Sequence, residues 1–241
     1  PNYTDLLREF QNAGSASELS GGLQNQKLKQ WALRSYWNNF TGGLSFSTMK
    51  YENQTVVDTN GQYGDTKQED KSTTLDFGFN HRLWIFEAAP NVSYTWFKSN
   101  QNFLRFKYFG AAWSPSTLGN GDADVTLIQN AYSYREFTVD LPVFINLGMK
   151  SKWALSGGWS LTHRTYVDRP PRDGENNYQM GEKQKNTLTK LYAGIRKHMN
   201  EIADLSLMYT LVVASSNNKF EKYLPYNYTG QSLGIAYNLT F

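Results

Sequence analysis

Residues 232–241 read Ser232-Leu233-Gly234-Ile235-Ala236-Tyr237-Asn238-Leu239-Thr240-Phe241 and alternate between two kinds of side chain without a break. Every odd-numbered position is apolar or aromatic, and every even-numbered position is small or polar. Successive side chains of a β-strand point to opposite faces, so this two-residue period predicts a strand with one apolar face. The five residues predicted on that face are Leu233, Ile235, Tyr237, Leu239 and Phe241.

The same alternation recurs in seven earlier stretches of the chain. They lie at residues 40–47, 75–83, 91–96, 136–145, 153–162, 190–196 and 205–213. Together with the closing strand they predict an all-β fold of eight strands. If one face meets lipid, the sheet must close on itself, because an open edge would leave unpaired backbone N–H and C=O groups. We therefore expect a closed antiparallel transmembrane β-barrel.

The connections between these stretches alternate in length. The long links are residues 54–69, 99–125, 168–183 and 217–225, and the short ones are 84–88, 146–150 and 198–202. Long loops on one side and short turns on the other are typical of transmembrane barrels.

The terminal aromatic residue, the alternation and the loop asymmetry resemble small bacterial outer-membrane β-barrel proteins over about 200 of the 241 residues. The resemblance implies an outer-membrane location in a Gram-negative cell, with both termini on the periplasmic side. It implies contact with outer-membrane lipid and lipopolysaccharide. It also implies that Leu233, Ile235, Tyr237, Leu239 and Phe241 are the signal read by the barrel-assembly machinery.

Residues 1–39 differ from the barrel predicted at 40–241. Thr4 or Asp5 is a candidate cap for a short helix, followed by a flexible connector at 14–22. Residues 27–37 are compatible with a helix, a strand or an interfacial segment. Residues 1–39 as a whole are predicted to be a plug or a periplasmic segment that contacts a partner.

A second ambiguity concerns Leu104, Phe106 and Tyr108, which form either a hairpin arm or a further spanning strand. The latter, paired in number with residues 27–37, gives the alternative of ten strands.

Composition excludes several classes of protein. The 16 Tyr, 14 Phe and 7 Trp accompany a mean hydropathy of −0.60, a mixture that a barrel with a lipid face and polar loops explains. No apolar run is long enough for a transmembrane helix, and the chain shows no cationic start followed by an apolar stretch, so we expect that any signal peptide has already been removed. Cysteine is absent, and the formal charge of +3 is spread along the chain. Nucleic acid is therefore not an expected partner.

Alternate residues of a strand lie on opposite faces, so the position of a residue in its strand, its strand parity, assigns it to one face. Two sets of candidate residues follow from this assignment. A charge network on the polar, lumen side is predicted from Asp76, Arg82, Glu136, Asp140, Lys190 and Arg196. An aromatic girdle on the lipid side is predicted from Phe40, Tyr94, Trp96, Trp153 and Tyr209. The pair Gly157-Gly158 is interpreted as space for neighbouring rings.

No catalytic residue, metal ligand or cofactor is predicted. His163 and Thr165 loosely resemble the His-X-Ser of lipid A deacylases, but no spacing selects an acid between Glu182 and Asp168 to orient the histidine. The leading hypothesis is a non-enzymatic barrel that anchors or stabilises the envelope or serves as a subunit of a larger assembly. The alternatives are a narrow channel for ions or small solutes and an outer-leaflet lipid A-modifying hydrolase.

Overall fold

A computed structural model describes residues 26–57, 63–106, 125–147, 152–175, 177–199, 203–220 and 226–239. These residues form an all-β structure with no helix among them. The strands are β1 Gln26–Trp37, β2 Phe40–Val57, β3 Tyr63–Phe79, β4 His81–Leu83, β5 Phe86–Ala88, β6 Asn91–Ser99, β7 Phe103–Phe106, β8 Val125–Ile128, β9 Tyr134–Asn146, β10 Trp153–Tyr166, β11 Lys185–His198, β12 Ala203–Ser216 and β13 Tyr228–Leu239. The described residues contain no helix long and apolar enough to cross a membrane.

Eleven strands make one antiparallel sheet in the order β1-β2-β3-β6-β9-β10-β11-β12-β13, with β4 and β5 as a short hairpin. β5 and β6 both pair with β9, so they share one position in the sheet. The interruption between them falls at Ala89 and Pro90, and proline has no N–H to donate to a ladder. The sheet therefore has nine strand positions along its main path.

All eight predicted strands are present, but the count of eight is wrong. Residues 27–37, for which three conformations were open, belong to β1, which pairs along its whole length with β2. The boundary predicted at residue 40 thus falls at a hairpin, where Asn38 has a φ of 51°. The short helix predicted from Thr4 or Asp5 lies outside the described residues.

The second ambiguous stretch forms a hairpin arm, as one of the two alternatives had it. Among the described residues β7 pairs only with β8, and this two-stranded sheet is separate from the main one. A further spanning strand at Leu104 is therefore excluded, and with it the proposed route to ten strands.

The predicted closure is not seen, because the sheet is open between β1 and β13. Among the described residues β1 pairs only with β2, and β13 only with β12. Each of the nine strand positions runs antiparallel to the next, so the first strand, β1, and the last, β13, run in the same direction.

The connections divide the sheet into a turn end and a loop end. The turn end carries 38–39, 84–85, 147–152 and 199–202, and the loop end carries 58–62, 100–133, 167–184 and 217–227. The predicted alternation is confirmed, although most of the link predicted at 54–69 is strand. Gln26 lies at the loop end and Leu239 at the turn end.

The register gives the sheet an apolar face and a polar face. One row of the apolar face contains Leu141, Trp159, Leu191 and Leu211, and a row of the polar face contains Ser93, Thr138 and Thr162. The apolar side chains are exposed, reaching 77% for Trp31 and 73% for Ile235. The largest fully buried side chains in the described residues are Gln184, Asn218, Pro171 and Ser99. This pattern is the reverse of a water-soluble core.

Candidate functional site

The six residues predicted to form a lumen charge network all lie on the polar face. The register places them there through their cross-strand partners. They do not form a single network, however. They are distributed over separate groups along the face, and two of the groups depend on an arginine that the sequence analysis did not select.

The first group lies near the loop end and consists of Glu136, Arg164 and Tyr134. Arg164 donates from Nε to Oε2 of Glu136 at 2.8 Å, and its Nη2 lies 2.7 Å from the same oxygen. Its guanidinium carbon lies 4.0 Å from the centroid of the Tyr134 ring. An arginine whose guanidinium contacts a carboxylate oxygen through two nitrogens while it lies on an aromatic ring is a preorganised ion pair. Arg164 shares its even-numbered parity with Ser160 and Thr162, so strand parity was the signal available to find it.

The second group pairs Asp76 with Arg34 across β2. Arg34 Nη2 lies 3.8 Å from Asp76 Oδ2. The intervening residue is Gly43, and a Cβ there would collide with the Asp76 carboxylate. Because Arg34 belongs to the stretch whose conformation was ambiguous, the sequence could not place it on this face.

In the middle of the polar face, Asp140 and Lys190 lie on either side of Ser160 in one register row. Lys190 Nζ is 5.6 Å from the centroid of the Tyr192 ring, a cation–π distance. The Tyr192 ring covers Gly158, where a Cβ would meet the ring itself. The interpretation of Gly158 as space for a neighbouring ring is therefore confirmed.

A cavity of about 580 Å³ opens on the polar face near the turn end. Arg82, Glu87 and Arg196 contribute its charged lining. Arg82 faces Glu87 across the β4–β5 hairpin. Two of the six predicted residues thus share this cavity, and Glu87 is a member that the sequence analysis missed.

The predicted girdle residues all lie on the apolar face, but not all lie at a rim. Phe40 and Trp153 begin their strands at the turn end, and the Phe40 ring is 4.8 Å from that of Phe79. Tyr94 and Trp96, whose ring centroids are 4.5 Å apart, lie on either side of the midpoint of β6. Tyr209 occupies the middle of β12, which does not fit a girdle.

The predicted assembly signal lies on an edge strand. Leu233, Ile235 and Tyr237 occupy the apolar face of β13 with exposures of 59–73%. The backbone of Leu239 pairs with Ala203, and Phe241 lies outside the described residues.

Buried polar side chains join the strands to the loops at the loop end. In one cluster, Gln68 accepts from Gln101 at 3.2 Å and from Gln54, and donates to Asp70 at 3.2 Å. These hydrogen bonds link the loop-end half of the β2–β3 hairpin to the segment that follows β6.

A second buried cluster ties together the two loops that flank β11 and β12. Asn218 Oδ1 accepts from the Arg172 backbone at 2.8 Å, and Asn227 Oδ1 accepts from the Ser216 backbone at 2.7 Å. The Arg172 guanidinium lies 4.8 Å from the Phe220 ring centroid. The buried amides at the loop end have hydrogen-bond partners. The described loop residues are therefore held in a defined arrangement rather than lying separately on the surface.

Among the described residues, the two side chains that contact the ring nitrogens of His163, the histidine considered for catalysis, are both hydroxyl groups. His163 lies on the apolar face, with Nδ1 2.9 Å from Thr187 Oγ1 and Nε2 3.4 Å from Thr165 Oγ1. Within the described part of the chain no carboxylate lies within 4 Å of its ring, so the acid of a triad is not in place. The same residues include no group of three or more His, Asp or Glu side chains arranged to hold a metal.

Comparison of the sequence with known proteins identifies no relative: no protein-family model and no curated protein matches the chain.

Proposed function

We propose that this chain forms the wall of a closed β-barrel in the bacterial outer membrane. Its role is structural: it anchors or stabilises the envelope, or serves as the membrane subunit of a larger assembly whose partners contact the loop end. The observation that carries this proposal is the inverted burial of the sheet, with large apolar side chains exposed on one face and amides buried at the loop end. Such a face is stable when lipid rather than water covers it.

Closure follows from the same physical argument. In lipid, every unpaired backbone group at a sheet edge costs several kcal/mol. The two edges of this sheet, β1 and β13, are both 12 residues long. We propose that they pair directly with each other, in parallel, and so complete a nine-stranded barrel.

Paired cysteines test this closure, since the chain has no cysteine of its own. Ala32→Cys on the polar face of β1 is combined in turn with Gly230→Cys, Ser232→Cys, Gly234→Cys or Ala236→Cys on the polar face of β13. One combination is expected to form a disulfide efficiently under mild oxidation in membranes, because paired strands bring Cα atoms within disulfide range. Gel mobility with and without reductant measures the product.

The positive control is Ser206→Cys with Ala236→Cys, which are direct partners across β12 and β13. Ala32→Cys with Ser160→Cys is the negative control, because these residues lie on strands that are not adjacent. Efficient cross-linking of the positive control alone would contradict direct pairing of β1 with β13.

A structural role is favoured over a channel because the charges on the polar face are largely paired with each other. Glu136 is bonded to Arg164, Asp76 lies near Arg34, and Arg82 faces Glu87. A narrow barrel is filled by its own interior side chains.

The purified protein is therefore expected to give no stable unitary conductance in planar lipid bilayers at any voltage. Glu136→Gln, which leaves Arg164 unpaired, serves as the comparison variant. A reproducible unitary conductance of the wild type that changes in Glu136→Gln would replace the structural role by that of a channel.

A further inference from the structure

The apolar face of the first four strand positions, β1, β2, β3 and β6, is layered toward the loop end. Cross-strand partners on this face form rows that run across the four strands. Toward the loop end, three consecutive rows change from mainly aliphatic to mainly aromatic to mainly cationic. The rows are Leu33-Leu44-Leu75-Tyr94, then Trp31-Phe46-Thr73-Trp96, then Lys29-Thr48-Lys71-Lys98. A membrane surface has the same order, since aromatic rings lie at the headgroup level and lysines extend beyond it.

A further row adds two lysines. Lys27 faces Lys50, and Lys50 faces Glu69. We call Lys27, Lys29, Lys50, Lys71 and Lys98 the lysine band. All five side chains are exposed.

The lysine band places like charges directly opposite each other. Lys71 faces Lys98, and Lys27 faces Lys50. Residues so paired have Cβ atoms about 4.5–5.5 Å apart, and like charges at that spacing destabilise a sheet. An anion held between the ammonium groups would relieve this repulsion.

Carboxylates of the chain relieve only part of the repulsion. Glu69 lies 3.6 Å from Lys50 and 3.4 Å from Lys71. Glu52 accepts a hydrogen bond from Lys27 at 2.8 Å. Considering only residues that the structure describes, neither Lys29 nor Lys98 has a carboxylate within 4 Å. The band therefore has capacity for an external anion.

The opposite end of the same strands lacks this arrangement. There the apolar face carries the row Trp37-Phe40-Phe79, whose rings contact each other at 6.3 and 4.8 Å. Strands β1, β2 and β3 thus end in an aromatic row at the turn end, and in an aromatic row followed by lysines at the loop end. This asymmetry distinguishes the two leaflets that the barrel would contact.

We propose that the lysine band binds the phosphate groups of an anionic lipid in the leaflet at the loop end. The inference rests on the proposed membrane location and deepens it by naming the residues that recognise the lipid. Ammonium groups beside an apolar surface suit a ligand that combines phosphates with acyl chains, whereas a free phosphate would use the charges alone. The acyl chains would cover the aliphatic rows below the band.

The test compares Lys71→Gln/Lys98→Gln with the wild-type protein. The control is Lys152→Gln/Lys197→Gln, which removes two lysines at the turn end; Lys197 lies over the Trp153 ring at 5.1 Å. Native mass spectrometry in a non-ionic detergent measures binding of bis-phosphorylated lipid A and of phosphatidylcholine. Loss of two membrane-surface lysines is expected to weaken lipid A binding about tenfold to thirtyfold. The control is expected to bind like the wild type.

Three results would overturn the inference. If the wild type and Lys71→Gln/Lys98→Gln bind lipid A with equal affinity, these lysines do not contribute to the site. If the wild type binds lipid A and phosphatidylcholine with equal affinity, the site is not selective for anionic headgroups. Displacement of lipid A by millimolar inorganic phosphate would show a site for free anions rather than lipid.

Reconstitution into phosphatidylcholine vesicles followed by alkaline extraction separates this inference from the proposed function. A wild-type protein that is extracted with the soluble fraction would overturn both. A protein that stays in the vesicles but shows no preference for lipid A would overturn the lysine-band proposal alone.

Discussion

Leu207→Arg is expected to lower the free energy of unfolding in a phospholipid bilayer by about 2–4 kcal/mol, the cost of an arginine near the midplane on the lipid face of a barrel. Leu207 lies on the apolar face of β12, two residues to the turn-end side of the middle residue Tyr209; it is 40% exposed and lies between Ile195 and Ile235 in the register. If water covered this face instead, the same substitution at an exposed site would change stability by only about 0.5 kcal/mol. The two environments therefore give clearly different results.

Thr210→Arg is the matched control, because it adds the same side chain to the same strand on the opposite face. Thr210 lies between Tyr192 and Ser232 on the polar face. Its replacement is expected to cost about 1 kcal/mol or less. Urea titration of the protein refolded in phospholipid vesicles, followed by tryptophan fluorescence, measures both values. Equal losses for Leu207→Arg and Thr210→Arg would contradict a lipid-covered apolar face.

Gly158→Val is the second substitution for which we expect a large loss, about 1–3 kcal/mol from overpacking. A Cβ at residue 158 would lie 2.8 Å from the carbonyl oxygen of Leu141 and would also meet the Tyr192 ring. The ring can rotate away, but the carbonyl belongs to the backbone of β9 and can move only with the strand. The loss therefore measures how tightly the polar face is packed.

Gly157→Val is the control for this prediction, because residue 157 faces the apolar side. The nearest atom to a Cβ there is the Tyr192 carbonyl oxygen at 3.4 Å. Valine favours strands, so stability is expected to stay the same or rise by up to about 1 kcal/mol. The same urea titration measures both variants. A Gly158→Val protein as stable as Gly157→Val would contradict the close approach of the Leu141 carbonyl oxygen to residue 158.

Strand parity predicted most of the sheet, because a period of two is a local property that each strand carries by itself. It failed at β1. There, one face combines Leu28, Ala32 and Tyr36 with Gln30 and Arg34. Such a mixed edge strand has no clean period, so the strand count was one too low.

Parity also placed the candidate residues on the correct face but did not give their partners. Glu136 was assigned correctly to the polar side, yet its partner Arg164 was identified only from the contact between β9 and β10. Likewise, Asp76 meets Arg34 only because Gly43 on β2 leaves room between them. Pairing across strands depends on register, and register is set by neighbouring strands rather than by the strand itself.

By itself the sequence determined the all-β class, the two faces and the alternation of turns and long loops, since all of these follow from side-chain order along the chain. The tertiary structure decided the nine strand positions, the open edges, the buried amides at the loop end and the rows of the lysine band. Lys29, Lys71 and Lys98 are far apart in sequence and share one row only after three strand pairings align them. The physical reason is that hydrogen-bonded register, which brings distant residues side by side, has no signal within a single strand.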